Sequence, residues 1–238
     1  MTRRRWIADE TSGNEAALCG AHADHLVRVL RARVGQEFDI VADGVVRRGQ
    51  VSEIGEQRVA FTLGDAISSE AASVNLTLLL AVFKFDRMEW AIEKCTELGV
   101  TKIVPVIARR TDAHLASAAL KRAERWRRVV VQAAEQSRRT APPQLTDPIK
   151  LRDALDLPGE LRVVLSEAEQ EISLKEAVAA NQAASEVLLA IGPEGGWTED
   201  ELDLLKNGGW ISVSLGTTIL RAETAAIAAV AIAMSQFI

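Results

Sequence analysis

Cysteine is nearly absent: Cys19 and Cys95 are the two in 238 residues. Two thiols make neither a disulfide framework nor a metal-ligand set, so both are expected reduced, in a cytoplasmic protein without a metal. Histidine is also scarce, and of the three present His22 and His25 fall near the N-terminus and His114 in a basic stretch. None of them is placed as an evident general base. No apolar run is long and clean enough to span a bilayer, and the nearest, 225–238, is short and rich in alanine. No apolar stretch follows Met1-Thr2-Arg3-Arg4-Arg5-Trp6, where Asp9 and Glu10 come next, so neither a secretory signal nor a membrane partner is expected. Internal repeats and low-complexity segments are missing too.

What is present is a core-forming chain, 48% hydrophobic, long enough for one large domain or a small and a medium one. The net charge of −5 is unevenly spread: −2 over residues 1–70, +6 over 71–150 and −9 over 151–238. The basic middle holds Arg109, Arg110, Lys121, Arg122, Arg125, Arg127, Arg128, Arg138 and Arg139. A charge run is often only a solvated helix face. Arginine outnumbers lysine here, however, and is the sole basic residue type in the first 70 residues. Planar guanidinium groups suit phosphates and stacking on bases, which favours RNA as the polyanion.

Two domains are expected, 1–70 and 74–238. In the first, Phe38-Asp39-Ile40-Val41 and the run from Val45 to Val51 flank Asp43-Gly44, a hairpin signal. Residues 58–63 predict another strand and 25–31 a short helix carrying Arg28 and Arg31, while the small polar segment 64–73 predicts the linker. From Val74 the rhythm changes. The nearly continuous apolar run at 74–83 predicts a strand buried on both faces, and 103–107, 161–165, 187–191 and 211–215 predict further strands. Between them lie a helix with Met88, Ile92, Cys95 and Leu98 in register, a long basic helix at 115–137, capping boxes at Ser173–Glu176 and Thr198–Glu201, and a last helix at 223–234. Alternating strands and helices predict an α/β domain built on a parallel sheet. Pro105 removes one ladder donor from the second of these strands. The last helix is apolar all round, so it has to be covered on every side, and a subunit interface is a natural cover.

Two loops stand out at the ends of predicted strands. Ile191-Gly192-Pro193-Glu194-Gly195-Gly196 ends a buried strand and leads into a capped helix. In open α/β sheets ligands sit beyond the carboxyl ends of the strands, and three glycines with an embedded Pro and Glu favour a ligand loop over an ordinary turn. The spacing is neither the dinucleotide pattern G-x-G-x-x-G nor a Walker loop. The second loop runs from Leu215-Gly216 through Thr217, Thr218, Ile219, Leu220 and Arg221 to Glu223 and Thr224. Glu223 suits the first turn of a helix. Arg221 does not, so an anionic partner is expected for it.

Together the two loops resemble the SPOUT class of methyltransferases and, within it, the small-subunit ribosomal RNA methyltransferase E family. Leu215-Gly216, Ile219-Leu220-Arg221 and Glu223-Thr224-Ala225 match the family pattern, as does the glycine loop. Lys84-Phe85-Asp86-Arg87-Met88-Glu89, Lys94 to Gly99, Glu135-Gln136-Ser137-Arg138-Arg139, His25 to Arg31, Gly35-Gln36 and Asp43-Gly44 agree in the same order. Two departures are visible: Thr217-Thr218 stands where the family usually has Pro-Arg, and Thr140 where it usually has Asn.

The resemblance implies a PUA-like β-barrel for residues 1–70 that binds RNA. It implies a SPOUT domain for 74–238 with a trefoil knot, S-adenosylmethionine (SAM) as cofactor, and a homodimer. The implied reaction is methylation of N3 of a uridine in 16S rRNA near the decoding centre, with the 30S particle as its context. Leu165, Ile191, Gly192, Pro193, Glu194, Gly195, Gly196, Leu215, Gly216, Ile219, Leu220, Glu223 and Thr224 are the expected cofactor residues. Arg4, Arg5, Arg28, Arg31, Lys84, Arg87, Arg109, Arg110, Arg138 and Arg139 are the expected RNA contacts. Arg221 is the candidate catalytic residue, stabilising negative charge on the uracil oxygens, and no general base is assigned. Two other readings stand beside this one: a SPOUT enzyme methylating a ribose 2′-hydroxyl, and a non-catalytic RNA-binding protein whose pocket takes no SAM.

Overall fold

A computed structural model describes residues 5–67 and 74–237. The chain divides into two compact units, Met1–Ala71 with Ala134–Pro142, and Ala72–Ala133 with Pro143–Ile238. Arg4 and the linker residues 68–73 lie outside the described residues.

The first unit is a six-stranded sheet in the order β1-β4-β5-β6-β3-β2. Its strands are β1 (Arg5–Ile7), β2 (Glu10–Ser12), β3 (Glu15–Cys19), β4 (Glu37–Ala42), β5 (Val45–Ile54) and β6 (Arg58–Ile67). β1 runs parallel to β4 and every other pairing is antiparallel. The two edges, β1 and β2, are joined by Ala8 and Asp9 alone. The Ala8 N–H reaches Val41 O and the Asp9 N–H reaches Ala17 O, each at 2.9 Å. A sheet whose opposite edges meet across two residues must curl on itself, here around Trp6, Leu18, Leu26, Ile40 and Phe61. The Asp43-Gly44 hairpin has positive φ at both central residues, 51° and 77°, the primed turn whose twist matches the strands.

Two expectations fail in this unit. Residues 64–67 belong to β6, where Leu63 and Gly49 pair on the same ladder, and are not linker. The helix expected at 25–31 begins earlier, as α1 (Gly20–Asp24), and passes into one turn of π-helix at His25–Val29. The Leu30 N–H reaches back five residues to His25 O. That wider winding spoils the apolar stripe: Leu26 is buried, whereas Val29 and Leu30 face solvent and Arg31 leaves the helix at φ 53°.

The second unit holds a seven-stranded, wholly parallel sheet, β10-β8-β7-β12-β11-β13, with β9 also on β8. The strands are β7 (Asn75–Ala81), β8 (Lys102–Ile107), β9 (Gln144–Leu145), β10 (Ile149–Lys150), β11 (Leu161–Leu165), β12 (Glu186–Ile191) and β13 (Ile211–Val213). The helices are α2 (Phe85–Glu97), α3 (Ala113–Gln136), α4 (Leu151–Ala154), α5 (Leu174–Ala179), α6 (Glu199–Asn207) and α7 (Ala222–Met234). Leu76, Leu78 and Leu80 of β7 pack on one face with residues of α2, α3, α5 and α7. Leu79 and Ala81 pack on the other with Trp197, Leu205 and Trp210. Both faces of the central strands are therefore covered, which is why those strands read as nearly unbroken apolar runs. Both predicted capping boxes form: Ser173 with Glu176, and Thr198 with Glu201. α7 is less enclosed than its composition suggests. Ala226, Ala229, Val230 and Ala233 are fully buried, while Ile227 and Ile232 are half-buried.

Candidate functional site

β12, β11 and β13 lie side by side and parallel, so the loops that leave their carboxyl ends emerge at one edge of the sheet. Those loops, 192–197, 166–169 and 214–221, enclose a cavity of about 610 Å³ within the second unit. Eleven of the thirteen residues expected around a cofactor line it: Leu165, Ile191, Gly192, Pro193, Glu194, Gly195, Gly196, Leu215, Gly216, Ile219 and Leu220. Arg221, Arg87 and Arg110 line it as well. The other two lie on α7, where Thr224 faces solvent and Glu223 is buried. Arg87 Nε stands 3.8 Å from Glu223 Oε1, and Glu223 Oε2 is buried without a partner among the described residues.

The turns around the cavity need glycine at two points. Gly196 sits at φ 69° and Gly216 at φ 117°, conformations that cost an L side chain about 1–3 kcal/mol. Thr198 ends the glycine loop by capping α6, while Arg221 precedes α7 in extended geometry with no side-chain cap. Arg221 is exposed and has no hydrogen-bond acceptor among the described residues. Ile219 is 78% exposed, an apolar side chain at the cavity wall with nothing packed over it.

The third wall, Ser166 to Glu169, was not legible beyond Leu165. The signal that finds it is topological: β11 lies between β12 and β13, so its C-terminal loop must join theirs. Glu169 Oε1 accepts from the N–H groups of Glu171, Ile172 and Gln170 at 2.9, 3.3 and 3.1 Å. These bonds, led by that from Glu171, hold its carboxyl below the usual carboxylate range. Trp197, Thr217 and Thr218 also line the cavity.

The expected RNA-contact arginines scatter. In the first unit Arg5 Nη1 donates to the carbonyl of Arg138, and Arg138 has φ 62°. Arg139 is half-buried, and burial pulls it below the usual arginine range. Arg28 stands 3.4 Å from Asp24 and Arg31 is exposed. In the second unit Lys84 and Arg109 are exposed. Several charges of the basic helix are internally matched: Arg122 and Arg125 share Glu89, and Arg127 pairs with Asp147. Arg110 turns to the glycine loop, with Nη1 on Gly195 O at 2.6 Å and on Trp197 O at 3.2 Å.

A family model for RNA methyltransferase domains matches residues 70–234, and one for the RNA methyltransferase PUA domain matches residues 18–63. The ribosomal RNA small subunit methyltransferase E of Rickettsia conorii is 34% identical over 88% of this chain and 85% of its own. The crystal structure of the methyltransferase E of Neisseria gonorrhoeae, bound to S-adenosyl methionine, superposes with a TM-score of 0.86 at 29% identity, covering 97% of this chain and 96% of that one. A Legionella pneumophila methyltransferase solved with its bound cofactor SAM gives a TM-score of 0.87 at 25% identity, over 99% and 98% of the two chains. The curled sheet is thus a PUA-like half-barrel and the parallel sheet a SPOUT methyltransferase fold. By these matches and by the order of its motifs, the chain belongs to the ribosomal RNA small subunit methyltransferase E family.

Proposed function

We propose that this chain transfers the methyl group of SAM to N3 of a uridine in 16S rRNA, working in the cytoplasm as a homodimer on the small ribosomal subunit. The observation that carries the reading is the single cavity built by three loops at the carboxyl edge of the sheet. Its volume falls within the range of small-molecule sites, roughly 300–1,000 Å³. The lining suits the group. Backbone of the glycine loop and of 215–220 can meet the adenine and methionine parts, and the uncovered Ile219 offers an apolar contact to a flat base. We assign the trefoil knot of the fold class to the loops at this edge.

When bound, SAM supplies an electrophilic methyl on a sulfonium centre, so the protein need not activate a leaving group. What remains for the chain is to hold the uracil nitrogen in line and to keep water out. The N3 proton has to leave, and negative charge then spreads over the two uracil oxygens. Arg221, without a partner among the described residues and lining the cavity, is positioned to stabilise that charge. A uridine in folded RNA must be splayed out to reach the site. Among the arginines expected to meet RNA, exposed Arg31 and Arg109 are open to phosphates, and Arg28 would reach them from its pair with Asp24; the half-buried face of α7 is the surface we assign to the second subunit.

The test is calorimetry with SAM followed by methyl transfer from labelled SAM to 30S particles. Binding in the micromolar range with label in 16S rRNA is expected. No binding at high micromolar SAM would favour a non-catalytic RNA-binding protein.

A further inference from the structure

The turn after β8 carries Arg109 and Arg110, two cations that the sequence assigns to phosphates. Its hydrogen bonds point elsewhere. Thr111 Oγ1 accepts from the Ala108 N–H and donates to Val82 O, both at 3.2 Å, which pins the turn to the end of β7. The Arg109 N–H donates to Glu201 Oε1 at 2.7 Å. The other oxygen of that buried carboxylate accepts from Thr198 N and Oγ1 at 2.9 and 3.1 Å, at the start of α6. Arg110 completes the set by giving both hydrogens of Nη1 to the carbonyls of Gly195 and Trp197. The stretch 195–201 is thus held at three places by a turn that is itself anchored to the sheet.

We propose that Arg110 is a positioning residue for the cofactor loop, and that its guanidinium fixes the Gly195–Trp197 backbone in the geometry that receives SAM. The inference rests on the reading of this cavity as the SAM site. The two carbonyls have to be oriented without a ladder, because 192–197 lies outside β12 and before α6. A charged donor makes shorter and stronger bonds than a neutral one, and the 2.6 Å contact to Gly195 O is of that kind. Gly195 admits the arrangement because it has no side chain: a Cβ there would lie 3.3 Å from Cδ of Arg110. A phosphate-binding arginine keeps its fork free for the ligand. Here one nitrogen of the fork is already committed to the protein, and Arg110 lines the cavity.

Arg110→Ala and Arg110→Lys separate the two roles. For the alanine variant, SAM affinity by calorimetry should fall about tenfold, equivalent to about 1.4 kcal/mol. The KM for SAM should rise in parallel, with kcat at saturating SAM and the KM for 30S particles within a factor of two of the parent. Lysine, which can reach one carbonyl but does not reproduce the planar fork, should recover part of the affinity. Thermal unfolding should be little changed, since Arg110 is exposed. Unchanged SAM affinity, or a loss confined to the KM for 30S particles, would overturn the proposal and return Arg110 to RNA binding. Failure of the parent protein to bind SAM would instead overturn the assignment of the cavity.

Discussion

Replacing Glu201 by alanine tests whether one buried carboxylate joins α6 to the turn after β8. Glu201 is 6% exposed, and its two oxygens accept from Arg109 N, Thr198 N and Thr198 Oγ1 at 2.7, 2.9 and 3.1 Å. Alanine leaves two backbone N–H groups without their acceptor. An orphaned buried donor costs about 1–3 kcal/mol, toward the lower end where water can reach it. The expected destabilisation is therefore about 2–4 kcal/mol. Thr198→Ala removes the other half of the capping box and leaves the Arg109 bond, so it should cost only about 1 kcal/mol. Thr198→Ala keeps both backbone N–H bonds to Glu201, so the difference between the two variants reports on the Arg109 and Thr198 N–H bonds together. Urea unfolding at constant m-value reads both. A Glu201→Ala protein within about 0.5 kcal/mol of the parent would refute the reasoning, because no ordinary surface residue would be distinguishable from it.

Gly195→Val should abolish SAM binding in calorimetry with far-ultraviolet circular dichroism unchanged, because its methyls must displace Arg110 or enter the cavity; retained binding would mean the cofactor lies elsewhere. Arg221→Ala should lower kcat by about 10²–10³ with SAM affinity nearly unaltered, as for loss of an oxyanion donor; an effect on affinity alone would remove its catalytic role. Burial pushes the Cys95 thiol up to about 12, so alkylation of the native protein at pH 8 should modify Cys19, slowly, and spare Cys95 until denaturant is added. Glu160, Glu169 and Glu176 all titrate below the ordinary 4.5 in the folded chain, through hydrogen bonds led by those from Ser185, Glu171 and Ser173. Groups with depressed folded values stabilise above the unfolded value and lose that contribution as pH falls through the depressed one. The thermal midpoint should thus hold near neutrality and drop below pH about 4–5; a midpoint that rises on acidification would contradict this.

The parallel sheet was legible because its central strands are buried on both faces, as at 187–191, an unbroken apolar run, and at 74–83, where Asn75 and Thr77 alone interrupt it. The edges of the first unit were not. β1 and β2 are three residues each and owe their place to the Ala8–Asp9 joint, a tertiary constraint with no local signature. The π turn at 25–29 escaped because its composition matches an α-helix and only the i+5 bond distinguishes it. In the cavity, the two glycine loops were visible as breaks after apolar runs. The wall at 166–169 became visible only once strand order put β11 between β12 and β13. Charge was read correctly as concentrated in the middle of the chain, but its pairing was not, since Arg122 and Arg125 meet Glu89 from 33 and 36 residues away. Arg110 meets the glycine loop from 85 away. Contacts at such separations leave no periodic trace in sequence.

The position of the transferred methyl group decides the function. 30S particles lacking the modification, incubated with this protein and SAM, should yield 16S rRNA whose nucleoside digest contains one new species by mass spectrometry. The expected species is uridine methylated on the base at N3. A 2′-O-methylated nucleoside, or no methylated product at all, would contradict it.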